Sequence, residues 1–108
     1  MVTKYSANIS NKVIKKNLHR IIGQIYKLLP YREEGIDWKK PLVTIQIELA
    51  GMDSLFKNYE DFHKILFSLE CKLEGLFLNA EDKDFERFRG IIFECIGKVK
   101  DLQDLCQD

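Results

Sequence analysis

One spacing of apolar residues recurs four times along the chain. Ile14, Leu18, Ile21, Ile25 and Leu28 step by 4, 3, 4 and 3, and Phe62, Leu66, Leu69, Leu73 and Leu76 repeat that order. Phe85, Phe88, Ile92, Cys95, Val99, Leu102 and Cys106 continue it for six steps without a miss. Residues at this spacing fall on one side of an α-helix, so helices are predicted over about 10–29, 59–78 and 81–106. The remaining segment, PLVTIQIELAGM, second in chain order, carries two periods at once. Leu42, Ile45, Leu49, Met52 and Phe56 keep the helical step, whereas Val43, Ile45, Ile47 and Leu49 alternate with Thr44, Gln46 and Glu48 in the period of a strand. A helix over 41–56 is expected, because the helical step continues past Leu49 and a lone strand would leave its backbone groups unpaired.

Boundary signals agree with this division. Asn8 or Ser10 can cap the first helix, and Pro30 reads as its stop. Gly51 reads as an end or bend of the second, with Asp53 capping a further turn, and Asn58 as the cap of the third. Glu81, Asp82 and Asp84 crowd the start of the fourth, where the helix dipole favours negative charge. Between the first two helices lies PYREEGIDWKKP, residues 30–41, longer and more charged than the other connections. The expected fold is all-α: a single domain over 1–108 forming an antiparallel four-helix bundle with a longer crossover between helices 1 and 2. The mean step of about 3.5 residues predicts crossing angles near 20°.

Composition adds less. With 45% hydrophobic and 31% charged residues the chain has the make-up of a folded globular domain and not of a disordered one. No run approaches the roughly 18–20 apolar residues a membrane span requires, and the start of the chain lacks the apolar core of a secretory signal. Three cysteines without a CxxC pair suit reduced thiols, so a cytoplasmic location is expected. Usage rich in Lys, Ile and Asn suits an AT-rich bacterial or phage genome. Zero net charge conceals a split: residues 1–32 carry seven basic and no acidic side chains, whereas 33–108 carry ten basic against seventeen acidic. The basic excess lies along the polar side of the first helix, in Lys12, Lys15, Lys16, Arg20 and Lys27 with His19 among them.

Apolar residues also fall outside the inward stripes. Phe67, Cys71 and Leu78 do so on the third helix, Val43, Ile47 and Ala50 on the second, and Phe93, flanked by Gly90 and Gly97, on the fourth. A helix of a solitary bundle should be polar there, so self-association is expected, with a two-fold homodimer as the commonest form. The connection contributes Tyr31, Arg32, Ile36 and Trp38, a mixture of aromatic and charged groups found at binding hot spots. Trp38 is expected to fold over the end of the bundle, with a contact surface as the competing reading. The candidate partner-binding set is therefore Tyr31, Arg32, Trp38, Phe67, Cys71, Leu78 and Phe93.

Signals for catalysis are weak by comparison. The stretch EEGID superficially resembles the first acidic cluster of the MazG-type four-helix nucleotide pyrophosphatases, but Gly35 lies inside it. The later ExxD half of that pattern is missing, since four residues separate Glu48 from Asp53 where two are needed. Glu60-Asp-Phe-His63 matches the Glu-x-x-His of di-iron bundles once where two copies are required. Neither His19 nor His63 has a second His or Cys one turn away, and no nucleophile elbow or phosphate-binding glycine loop occurs. Cys95 and Cys106 fit the inward stripe as small apolar residues, and Cys71 is the exposed thiol. The chain reads as a small non-catalytic, cofactor-free helical interaction protein, whether adaptor, inhibitor, immunity-type or assembly subunit. The alternative is a nucleic-acid-associated accessory subunit that binds phosphates through Lys12, Lys15, Lys16, Arg20 and Lys27.

Overall fold

A computed structural model describes residues 11–56, 59–78 and 85–106. Four helices account for nearly all of them: α1 (Asn11–Glu33), α2 (Lys39–Phe56), α3 (Glu60–Leu78) and α4 (Phe85–Leu105). Each helix packs on its chain neighbours, and α4 closes back on α1. Cross-helix contacts run in opposite numerical directions. Gln46 reaches Glu74 while Asp53 reaches His63 across α2 and α3, and Lys15 meets Gln103 while Tyr26 meets Phe93 across α1 and α4. These pairs are therefore antiparallel, and the whole is the four-helix bundle expected from the stripes. The sequence-predicted caps Asn8, Ser10 and Asn58 and the acidic group Glu81, Asp82 and Asp84 lie outside the described residues.

The stripes form the core. All five stripe residues of α1 and all five of α3 are buried, as are Leu42, Ile45, Leu49 and Phe56 of α2. Phe88, Ile92, Cys95, Val99 and Leu102 of α4, and Cys106 just past its end, join them. Two residues outside the strict stripe, Leu29 and Ile96, are buried as well, because the α1–α4 contact is the most extensive in the bundle and widens the apolar band on both helices. Each such aliphatic side chain contributes about 1.5–3 kcal/mol relative to exposure, so the core dominates the energetics.

Segment 42–49 is helical, which settles the conflict of periods in favour of the longer-range step. Its strand-like alternation has a different origin: Val43 and Ile47 are apolar residues on the outer side of the helix. Gly51 does not end α2, which continues to Phe56. Asp53 accordingly lies inside the helix, where its carboxylate pairs with His63 instead of capping a turn.

The stop expected at Pro30 is also corrected, since α1 runs through it to Glu33. A proline in the last turn forfeits one backbone bond, and its own carbonyl still accepts from the Glu34 N–H at 2.9 Å. Termination falls to Gly35, whose φ of +74° is the left-handed conformation that side chains other than glycine disfavour. Gly35 N–H donates to the Arg32 carbonyl at 3.2 Å and Ile36 N–H to that of Tyr31 at 2.7 Å, the paired bonds of a Schellman motif. The Asp37 carboxylate then accepts the Lys39 and Lys40 N–H groups at 3.1 and 3.4 Å and starts α2. Pro41 falls in that first turn, where no intrahelical donor is needed. The crossover is thus only residues 34–38, far shorter than the proline-bounded segment.

Gly35→Ala is expected to lower unfolding stability by about 1 kcal/mol, because it forces a Cβ into the left-handed region. Chemical denaturation with an unchanged m-value tests this; an unaltered midpoint would show that the turn relaxes at no cost.

Candidate interaction surfaces

The sequence-predicted contact residues separate into three places. The first is the end of the bundle beside the α1–α2 turn. Trp38 is half-buried, its ring edge-on to Phe88 of α4 at 4.9 Å between centroids. The Arg32 guanidinium lies over the same Phe88 ring at 4.5 Å. An indole and a cation thus close over one fully buried aromatic, and Trp38 acts as a lid on the core. Tyr31 stands apart from them, lining a shallow groove with Gln24, Lys27, Pro41 and Thr44.

The second place is the outer face shared by α2 and α3. Val43, Ile47 and Ala50 of α2 and Phe67, Cys71 and Leu78 of α3 are all exposed there, with Ile47 at 67%, Phe67 at 58% and Leu78 at 68%. Two separate sequence anomalies therefore meet on one surface. Pairings across the helices hold its underside: Gln46 Nε2 donates to Glu74 at 3.0 Å, and His63 Nδ1 meets Asp53 Oδ1. The His63 ring also stacks on Phe67, which fixes that aromatic against the surface. Between the helices Val43, Gln46, Ile47, Ala50, Glu70 and Glu74 line a groove of about 300 Å³. Glu70 is the unusual member. Its Oε1 is buried and lacks a hydrogen-bond partner among the described residues. Desolvation in this apolar wall, followed by the Asp53 carboxylate, pushes its pKa above the ordinary glutamate value, and His63 opposes the shift.

The third place is the opposite face, between α1 and α4. Phe93, 40% exposed, meets Tyr26 edge-on at 5.7 Å, and the Arg89 guanidinium lies over its ring at 5.5 Å. The sequence grouped Phe93 with the residues of α3, but the square packing order of the helices puts it on the other side.

The basic residues of α1 divide as well. Arg20 makes a paired bond to Glu48 of α2, at 2.8 and 3.2 Å, and this carboxylate raises the Arg20 pKa further. Beside that pair a groove of about 310 Å³ runs along Ile14, Gly51, Met52 and Leu55. Lys15 is half-buried toward α4, where its carbonyl accepts from Gln103. Lys12, Lys16, His19 and Lys27 remain exposed. Part of the charge split in the sequence is therefore resolved by pairing inside the fold.

Cys95 and Cys106 are buried, and Cys71 is exposed. Burial pushes the Cys95 thiol up to about 12 and raises that of Cys106, so neither supplies a thiolate at neutral pH. Among the described residues no group of three His, Cys, Asp or Glu side chains is placed to hold a metal ion, and no helix is long and apolar enough to cross a membrane. Nothing in the sequence flagged the cross-helix pairs Arg20–Glu48 and Asp53–His63, because no local period links residues 28 and 10 positions apart. Glu70 did carry a signal, since it lies one turn after core Leu66.

Two outcomes follow. Trp38→Ala is expected to lower stability by about 2 kcal/mol, the cost of uncovering Phe88. Unchanged stability in thermal or denaturant unfolding would remove the lid role. Glu70→Gln is expected to stabilise the protein at neutral pH. The folded state holds the Glu70 proton more tightly than the unfolded chain does. Stability therefore falls as pH rises through the window between about 4.3 and the raised folded value. The advantage of the amide should vanish below that window, and a pH-independent difference would disprove the assignment.

No protein-family model matches the chain, and neither the search of curated proteins nor that of solved structures returns a match.

Proposed function

We propose that this protein is a small non-catalytic assembly module that works through protein–protein contact and associates with copies of itself by the outer face of α2 and α3. The observation that carries the reading is the convergence of Val43, Ile47, Ala50, Phe67, Cys71 and Leu78 on that face. Contiguous apolar patches of this kind on a soluble domain mark contact sites, whereas scattered single residues do not. The bundle core is complete without them, since each helix already buries its own stripe. Their exposure is therefore not a by-product of a core left open. A rigid pair of helices also suits recognition, because the apolar side chains are held in place before a partner arrives.

Nucleic-acid binding is the second reading, supported by the exposed Lys12, Lys16 and Lys27 along α1. Its footing is narrower, because Arg20 already engages Glu48 and Lys15 is half-buried. Salt-sensitive retention on DNA or RNA that is lost on changing Lys12 and Lys16 to Glu would favour it.

Sedimentation velocity or light scattering of the purified protein tests the main reading. The mass is expected to rise with concentration, and Ile47→Lys or Phe67→Lys is expected to weaken that association about tenfold or more. Both residues are exposed, so the thermal midpoint should hold. A wild-type protein that stays monomeric at high concentration would refute self-association.

A further inference from the structure

We infer that the α2/α3 face does not meet its own equivalent in a second copy but docks on that copy's α1/α4 face, so that the protein assembles head to tail. The inference rests on the self-association proposed above and departs from the two-fold dimer that the sequence suggested.

Charge decides the geometry. Over residues 43–50 of α2 and 67–74 of α3, the middle of the apolar face, the only cation is Lys72. Its ammonium is directed away, bound to Glu94 of α4 at 2.9 Å. Glu70 and Glu74 flank the groove at the centre of the face, with one Glu70 oxygen already buried and unpaired. A two-fold contact centred on this groove would press four carboxylates together in the middle of an apolar interface, with the nearest outward cations, Lys40 and Lys64, a turn beyond it. Desolvated like charges of that kind oppose association strongly.

The opposite face is built in the complementary sense. Over residues 15–26 of α1 and 89–100 of α4 the only carboxylate is Glu94, and it is the one held by Lys72. Phe93 and Tyr26 form an exposed aromatic pair there, with Arg89 over the Phe93 ring. Arg89, Phe93 and Lys100 stand four and seven residues apart, on one side of α4. Gly90 and Gly97 lie beside them, exposed and with open space where a side chain would stand, so another helix can approach closely. One ion pair, Lys72–Glu94, thus leaves the middle of one side of the bundle acidic and apolar and the middle of the other basic and aromatic.

The dimensions are adequate. The bundle measures 43 × 20 × 19 Å, so a long side offers an area comparable to the roughly 800 Å² per partner of a standard interface. A face that meets a different face makes a heterologous contact, which closes into a ring or continues as a filament and does not stop at a dimer.

Two variants, each disabling one face, provide the test. Ile47→Lys/Phe67→Lys disables the α2/α3 face, and Arg89→Glu/Phe93→Glu the α1/α4 face. Circular dichroism first establishes that both keep the helical spectrum. Each variant alone is expected to sediment as a monomer, and an equimolar mixture is expected to form a one-to-one dimer through the two intact faces, and nothing larger. The wild-type protein, which needs no folding control, should associate beyond a dimer at low salt and at least tenfold more weakly at about 0.5 M salt, where surface charges are screened. If the α1/α4 variant associates as well as the wild type, the head-to-tail inference falls and the self-association reading stands. If only the α2/α3 variant keeps associating, the assignment of that face falls with it. A wild-type protein that is monomeric at all concentrations overturns both.

Discussion

Burial of one apolar stripe from each of four helices is the constraint on which everything else here depends. A square bundle has a single interior, and each helix can turn only about a third of its circumference toward it. Stripe residues such as Leu18, Leu49, Leu69 and Ile92 take that interior and are wholly enclosed. The order of packing then follows: α1 beside α2, α2 beside α3, α3 beside α4, and α4 back on α1. Once the interior is filled, any further large apolar residue must lie outside it. Ile47, Phe67 and Leu78 are outside for that reason.

The same constraint sorts the charges. Flanking positions of each stripe face a neighbouring helix, so ion pairs form along the seams between helices. Arg20 meets Glu48 across α1 and α2, and Lys72 meets Glu94 across α3 and α4. These exposed pairs contribute little to stability, about 0–1 kcal/mol each. Their larger effect is on what remains. Lys72 and Glu94 neutralise each other on the α3–α4 seam, which strips the cation from the middle of one outer face and the carboxylate from the middle of the opposite one. Two surfaces of contrary character arise on a chain whose net charge is zero. The seam between α2 and α3 adds a second imbalance, because Glu70 stands close enough to the apolar wall to hold its proton unusually tightly.

The turn between α1 and α2 illustrates how a charged loop becomes part of the core. Gly35 and Asp37 end one helix and begin the next within five residues. That brevity brings Arg32 and Trp38 onto the same Phe88 ring. Carboxylates Glu33 and Glu34 are spread over a helix end and a tight turn, so EEGID does not form a compact acidic cluster on a helix face.

Much of this was legible in the residues alone. The step of four and three identified the stripes, hence the helices, the all-α class and nearly every buried position, because periodicity and burial are two expressions of one geometry. The outward excess on α2 and α3 was also visible residue by residue. The reach of α1 past Pro30 was not, since a proline in the last turn costs one bond that the Gly35 motif offsets with two, and only the backbone reveals that balance. Nor did the sequence show that Val43, Ile47 and Ala50 share a surface with Phe67 and Cys71 while Phe93 belongs to the opposite side. Helical spacing tells which way a side chain points from its own axis. The order in which four helices surround a core decides which outward side chains become neighbours, and that order is a property of tertiary packing.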